Sequence, residues 1–111
     1  MLRRKQKLYF DILQAARDIQ GFVGTHSFDT FTSDSLVQAA VERKFEIIGE
    51  AMNRLAREFP DDAASVPRLR EIIGMRNILA HGYDQIDLHV LWSTSQDELT
   101  ALVSLVERRL S

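Results

Sequence analysis

The 111-residue sequence contains no cysteine, which excludes disulfide bonds, thiolate nucleophiles and zinc sites with cysteine ligands. It also lacks a long apolar run, because charged residues interrupt the apolar ones from the basic start MLRRKQKLYF onward. The net charge is only −2, so no overall positive field would attract nucleic acid. We therefore predict a soluble, cytoplasmic protein without membrane contact, forming a single domain over residues 1–111.

Only two prolines and five glycines are present, so long helices are possible. Apolar residues recur at three- and four-residue steps, the pattern of amphipathic helices, and no alternating strand pattern occurs. Four such segments, joined by turn-rich stretches, predict an all-α, up-and-down four-helix bundle, possibly with an extra short helix. The predicted helices are residues 2–22, 34–59, 68–80 and 88–110.

Particular residues are expected to end or anchor these helices. Asp87 can cap the fourth helix, and Phe28 and Phe31 are expected to hold the loop THSFDTFTSDS against the core. On the second helix, Gly49 is a position where another backbone could come close. The candidate caps of the second helix are Thr32, Ser33 and Asp34.

The stretch RNILAHGYDQID, residues 76–87, places polar residues in an otherwise apolar helix. On a helical wheel of about 100° per residue, Arg76 falls in the middle of an apolar arc. A charged residue there is costly unless it is paired, or unless the arc faces a cleft or a partner subunit. The apolar residues of the arc are Leu69, Ile72, Ile73, Leu79 and Ala80.

Arg76 and His81 together could cleave RNA without a metal. Histidine can take or give a proton near neutral pH, and arginine can bind phosphate. Asn77 could orient the histidine or bind a phosphate oxygen. On one regular helix the two side chains diverge by roughly 140°. Either a turn at Gly82 or a two-fold dimer could bring them together. The alternative interpretation is an interhelical salt bridge at Arg76 and a helix-capping histidine.

Three segments resemble, in order, the HEPN superfamily, and specifically the small HepT-like toxins of nucleotidyltransferase/HEPN toxin–antitoxin pairs. The segments are AVERKFEIIGEAMNRL, REIIGMRNILAHGYDQID and LHVLWS. The resemblance implies an all-α bundle that forms a homodimer or higher oligomer around a shared cleft. It also implies a metal-independent endoribonuclease whose Arg-Asn-x3-His signature is Arg76, Asn77 and His81, with 2′,3′-cyclic phosphate products.

The toxin branch of this superfamily extends the signature to a tyrosine, and Tyr83 occupies that position. By resemblance, the protein is the toxin of a type VII toxin–antitoxin pair, silenced when a nucleotidyltransferase antitoxin transfers AMP to Tyr83. Two alternatives stay open. One is a catalytically inactive HEPN module that binds a nucleotidyltransferase or its substrate, and the other is a dimerising bundle whose motif is only a structural salt bridge.

Other polar residues are expected to assist or to stay outside the site. Glu46 and Glu50 share a face of the second helix and could support Arg76, although surface ion pairs are the commoner role of such residues. Arg70 is a candidate RNA contact. His26 and His89 lack metal-ligand spacing with His81, so no metal site is predicted. No phosphate-binding glycine loop occurs, so any ATP binding is expected to belong to the partner, and no cofactor is predicted for this chain.

Overall fold

Seven helices account for most of the residues that the structure describes. The structure is a computed structural model that describes residues 3–81 and 87–111, with backbone alone over 78–81. No strand occurs in those residues, and the all-α prediction is confirmed. The helices are α1 (Arg4–Val23), α2 (Phe28–Thr32), α3 (Ser35–Glu58), α4 (Pro60–Ala64), α5 (Leu69–His81), α6 (Leu88–Asp97) and α7 (Leu99–Leu110).

The long helix α3 is the centre of the bundle. It packs against α1 and also against α5, while α7 packs against α1. Its apolar face buries Phe45, Ile48 and Met52 completely, together with Ile12 and Ile19 of α1. Burying an apolar side chain of this size contributes roughly 1.5–3 kcal/mol. The apolar face that the three- and four-residue periodicity predicts is therefore the surface on which α1 and α5 pack.

The predicted fourth helix, 88–110, is two helices that meet at Glu98. The difference has a local cause in the run of small hydroxyl residues before the junction. The hydroxyls of Ser93 and Thr94 donate to the carbonyls four residues earlier, each at 2.7 Å, and Ser95 donates to the carbonyl of Trp92 at 2.6 Å. Such hydrogen bonds compete with the helical ladder and bend helices.

Both short helices lie in stretches that were predicted as turns. In α2, Phe31 is fully buried and Phe28 stacks on His89 of α6 with ring centroids 4.3 Å apart. In α4, Pro60 occupies the first turn, where its missing N–H costs nothing, and Ala63 is buried. The predicted anchoring of the loop in the core is confirmed for Phe31, whereas Phe28 packs on His89 and Trp92 of α6. Helix α2 is an extra short helix of the predicted kind.

The predicted helix caps are present. The Asp34 carboxylate accepts a hydrogen bond from the Val37 N–H at 3.1 Å at the start of α3. The Asp87 carboxylate accepts one from the His89 N–H at 2.9 Å at the start of α6. Each cap satisfies a backbone donor that the helix leaves unpaired. These caps fix where α3 and α6 begin.

Candidate functional site

Helices α3 and α5 come into close contact at Gly49. A Cβ atom added to Gly49 would lie 2.1 Å from Cβ and 2.6 Å from Cγ of Arg76. It would also lie 3.4 Å from the carbonyl oxygen of Ile72. The close approach predicted at Gly49 is therefore present, and it is the aliphatic stem of Arg76 that fills the space.

The charged end of Arg76 lies at the surface and is paired. Its Nη2 donates to Oε2 of Glu50 at 2.8 Å, and its Nη1 donates to Oδ1 of Asn77 at 3.1 Å. The side chain remains 27% exposed. An arginine in an apolar arc is thus accommodated by packing the stem on Gly49 and pairing the head, which limits the cost of desolvation.

Glu50 pairs with a second arginine as well. Its Oε1 accepts a hydrogen bond from Nε of Arg54 at 3.2 Å, so each carboxylate oxygen binds one guanidinium group. Glu46, the other acidic residue predicted on this face, pairs with Arg43 at 3.2 Å. Glu50 is therefore the acidic residue that the structure brings to Arg76, and Glu46 lies on the same wall with its own partner.

These side chains line an open groove between α1, α3 and α5 with a volume of about 510 Å³. Apolar residues line part of it, and charged residues of both signs line the rest, an arrangement that suits a ligand with both apolar and charged parts. The lining residues are Leu8, Asp11, Arg43, Glu46, Ile47, Glu50, Ala51, Arg54 and Arg76.

The other residues predicted for the site either lie away from the groove of Arg76 or fall outside the residues that the structure describes. Arg70 is exposed and lines a separate hollow between α4 and α5, so it does not join the groove of Arg76. His81 is the last residue of α5, and its side chain lies outside the described residues, as do Gly82 and Tyr83. The predicted convergence of Arg76 and His81 therefore stays a prediction.

Sequence reasoning missed Arg54 and Arg43 as groove residues. A usable signal was present, because Arg54 follows Glu50 by four residues and such spacing places two side chains together on a helix. Across residues 3–77 and 87–111, no three His, Asp or Glu side chains converge as metal ligands. No helix within those same ranges is both long and apolar enough to cross a bilayer.

Comparison with known proteins shows which family the chain belongs to. The model of the family described as Ribonuclease HepT-like matches residues 12–109. The chain is 34% identical to "Probable ribonuclease HepT" of Thermococcus cleftensis over 96% of this chain and 97% of that protein. It is 33% identical to "Putative RNase MJ1380" of Methanocaldococcus jannaschii over 96% and 98%. No solved structure gives a significant match. The chain thus belongs to the HepT-like ribonuclease family of the HEPN superfamily.

Proposed function

We propose that this protein is a metal-independent endoribonuclease in which Arg76 binds the scissile phosphate and His81 transfers protons, with Asn77 assisting. The observation that carries the proposal is the guanidinium group of Arg76, held by Glu50 and Asn77 at the edge of an open groove. The names of its relatives as ribonucleases support the same activity. Each Nη of an arginine carries two N–H groups, so Arg76 keeps donors for a phosphate oxygen beside its contacts with Glu50 and Asn77.

The proposed reaction needs only groups that the chain and the RNA supply. The RNA 2′-hydroxyl attacks the adjacent phosphorus as its proton leaves, and the bond to the 5′-oxygen breaks as that oxygen gains a proton. His81 performs such proton transfer, which is worth about 10²–10⁴-fold in rate. Arg76 stabilises the charge that develops on the phosphate oxygens. The products are a 2′,3′-cyclic phosphate and a 5′-hydroxyl.

Cleavage of a labelled RNA in the presence of EDTA tests these roles. We expect Arg76→Ala and His81→Ala each to lower the cleavage rate by about 10²-fold or more. The control is Arg108→Ala, which removes the same charge from an exposed position on α7 and should keep the wild-type rate. Equal cleavage by all four proteins of equal folding would show that the activity comes from another site or from a contaminant.

We further propose that the protein acts as the toxin of a type VII pair, as a homodimer or higher oligomer, and that AMP on Tyr83 silences it. A bulky, negatively charged adenylate on Tyr83, two residues after His81 in the sequence, would repel the RNA backbone and offer Arg76 a competing phosphate. Incubation with a partner nucleotidyltransferase and ATP should transfer an adenylyl group to the Tyr83 hydroxyl, release pyrophosphate and stop cleavage, and mass spectrometry detects the added group. Tyr83→Phe should stay active and unmodified, and silencing of that variant would refute the assignment.

The pairing of Arg76 with Glu50 favours one alternative function. An arginine already neutralised by a carboxylate could be structural, and the chain would then be an inactive HEPN module that binds a nucleotidyltransferase or its substrate. In that case the wild-type protein would cut no RNA yet would bind the nucleotidyltransferase. Co-purification of the two proteins, together with the cleavage assay above, separates the two functions.

A further inference from the structure

The charges of the groove are not evenly balanced along its wall. Glu46 has Arg43 as its partner, and Asp11 accepts a hydrogen bond from Lys7. In each of these two pairs, one carboxylate faces one cation. At Glu50, two arginines share a single carboxylate, while the groove lining as a whole holds three acidic and three basic side chains.

We propose that Arg54 forms a second RNA-phosphate site beside Arg76, and that Glu50 is a positioning residue that holds both arginines on the groove. The inference rests on the proposed ribonuclease function and names how its substrate is bound. It assigns a binding role to Arg54, which lies on α3, outside the Arg-Asn-x3-His signature on α5.

The geometry of Arg54 suits a phosphate ligand. Arg54 uses Nε for its contact with Glu50, so this contact leaves both Nη ends of its fork uninvolved. Its side chain is 44% exposed, compared with 27% for Arg76. Arg54 is therefore the more accessible of the two guanidinium groups, and it can meet a phosphate without giving up its contact with Glu50.

The two guanidinium groups lie side by side on the wall of the groove. Each contacts a different oxygen of the Glu50 carboxylate, Arg54 from α3 and Arg76 from α5. A strand that enters the groove along α3 would pass both guanidinium groups in succession. A single-stranded RNA carries one negative charge at every nucleotide, so binding two neighbouring phosphates this way gains affinity without reading the bases.

The shared carboxylate distinguishes this arrangement from an ordinary surface ion pair. A Glu–Arg pair four residues apart on one helix is common and weak. Here the other oxygen of Glu50 is bound to an arginine from α5, so the carboxylate joins two helices as well as two cations. Removing the charge of Glu50 should therefore disturb the orientation of Arg76 while removing a negative charge from the path of the RNA.

Binding of an oligoribonucleotide carrying 2′-O-methyl groups, which has no nucleophile and is not cut, tests the phosphate site directly. We expect Arg54→Ala to weaken binding about three- to tenfold and to reduce the slope of log affinity against log salt by about 0.7–1. The matched control is Arg57→Ala, which removes an exposed arginine from the same helix outside the groove lining. Equal effects of the two substitutions, or no effect of either, would overturn the inference.

Cleavage kinetics test the positioning role of Glu50. Arg54→Ala should raise KM with little change in kcat, because its phosphate contact is the same in substrate and transition state. Glu50→Gln keeps the size of the side chain and should lower kcat about tenfold without raising KM. A rise in KM with unchanged kcat for Glu50→Gln would overturn the positioning role.

The two assays separate failure of this inference from failure of the proposed function. If the wild-type protein cuts RNA and Arg54→Ala behaves like Arg57→Ala, the second phosphate site is wrong and the ribonuclease proposal stands. If the wild-type protein binds the methylated RNA through Arg54 but cuts no RNA, the phosphate site stands and the nuclease proposal falls. Absence of both binding and cleavage by the wild-type protein would overturn both.

Discussion

At the scale of single residues, burial and pairing decide which charges the fold tolerates. Burial raises the pKa of the half-buried Glu42 carboxyl, and the neighbouring carboxylate of Glu46 raises it further. The opposite holds for Glu58, whose pKa is lowered because its carboxylate accepts hydrogen bonds from Arg4. The two carboxylates therefore contribute to stability with opposite signs near neutral pH.

Replacing Glu42 with glutamine should raise the melting temperature at pH 7. A carboxyl whose pKa is raised by folding destabilises the folded state while it is ionised, and this cost disappears below its unfolded pKa of about 4.3. The gain from Glu42→Gln should therefore shrink as the pH falls from 7 towards 4. Thermal unfolding of the wild type and the variant from pH 7 to pH 4 measures the difference in melting temperature. A difference that grows on acidification would contradict the raised pKa of Glu42.

The matched control on the same helix is Glu58→Gln. Because the pKa of Glu58 is lowered in the folded state, its stabilising contribution is present above the unfolded pKa and is lost as the pH falls through the folded pKa. The variant should melt below the wild type at pH 7, and the two should converge in acid. A Glu58→Gln variant that melts above the wild type at pH 7 would show that its pair with Arg4 does not stabilise the fold.

At the scale of helices, the sequence predicted the elements better than their interruptions. The caps at Asp34 and Asp87 were predictable because a carboxylate before an apolar stripe satisfies free backbone donors. The break at Glu98 was not, because the apolar stripe runs through it and the hydroxyl hydrogen bonds that precede it are seen only in the structure. How Arg76 is accommodated could also not be predicted. Its position on the helical wheel allowed three solutions: an ion pair, a cleft or contact with a partner subunit.

The contact at Gly49 makes a prediction about helix packing. Gly49→Ala should destabilise the protein by about 1–3 kcal/mol, because the new Cβ would overlap the stem of Arg76 and α3 and α5 would have to separate. The control is Gly21→Ala on α1, where a Cβ meets nothing within 4 Å and better helix propensity should stabilise by about 0.5–1 kcal/mol. Urea unfolding measures both, and equal stabilisation by the two substitutions would refute the close packing of α3 on α5.

At the scale of the whole molecule, one arginine near the end of the chain connects three helices. Nη1 of Arg109 on α7 donates to the hydroxyl of Tyr9 on α1 at 2.6 Å and to the carbonyl of Asp62 on α4 at 2.8 Å. Its Nη2 donates to the hydroxyl of Ser65. The Tyr9 hydroxyl in turn donates to the Asp62 carboxylate at 3.1 Å. The network joins elements far apart in sequence, which is why no local pattern could predict it.

Loss of this network should weaken the whole fold. Arg109→Ala leaves the partly buried hydroxyl of Tyr9 and the carbonyl of Asp62 without their donor, at a cost of about 1–3 kcal/mol. Arg108→Ala, one residue earlier and exposed, should stay within about 0.5 kcal/mol of the wild type. Chemical denaturation measures the free energy of unfolding of both variants. A similar small effect of both would show that the network does not stabilise the bundle.

Identifying the ends of the RNA products is the sharpest test of the proposed mechanism. Wild-type protein in EDTA should produce 2′,3′-cyclic phosphate and 5′-hydroxyl ends, because the neighbouring 2′-hydroxyl is the nucleophile and His81 moves the protons. Replacing the nucleotide on the 5′ side of the cleaved bond by its 2′-deoxy form should abolish cleavage at that bond. Products with 3′-hydroxyl and 5′-phosphate ends, or undiminished cleavage of the deoxy substrate, would contradict the Arg76 and His81 mechanism.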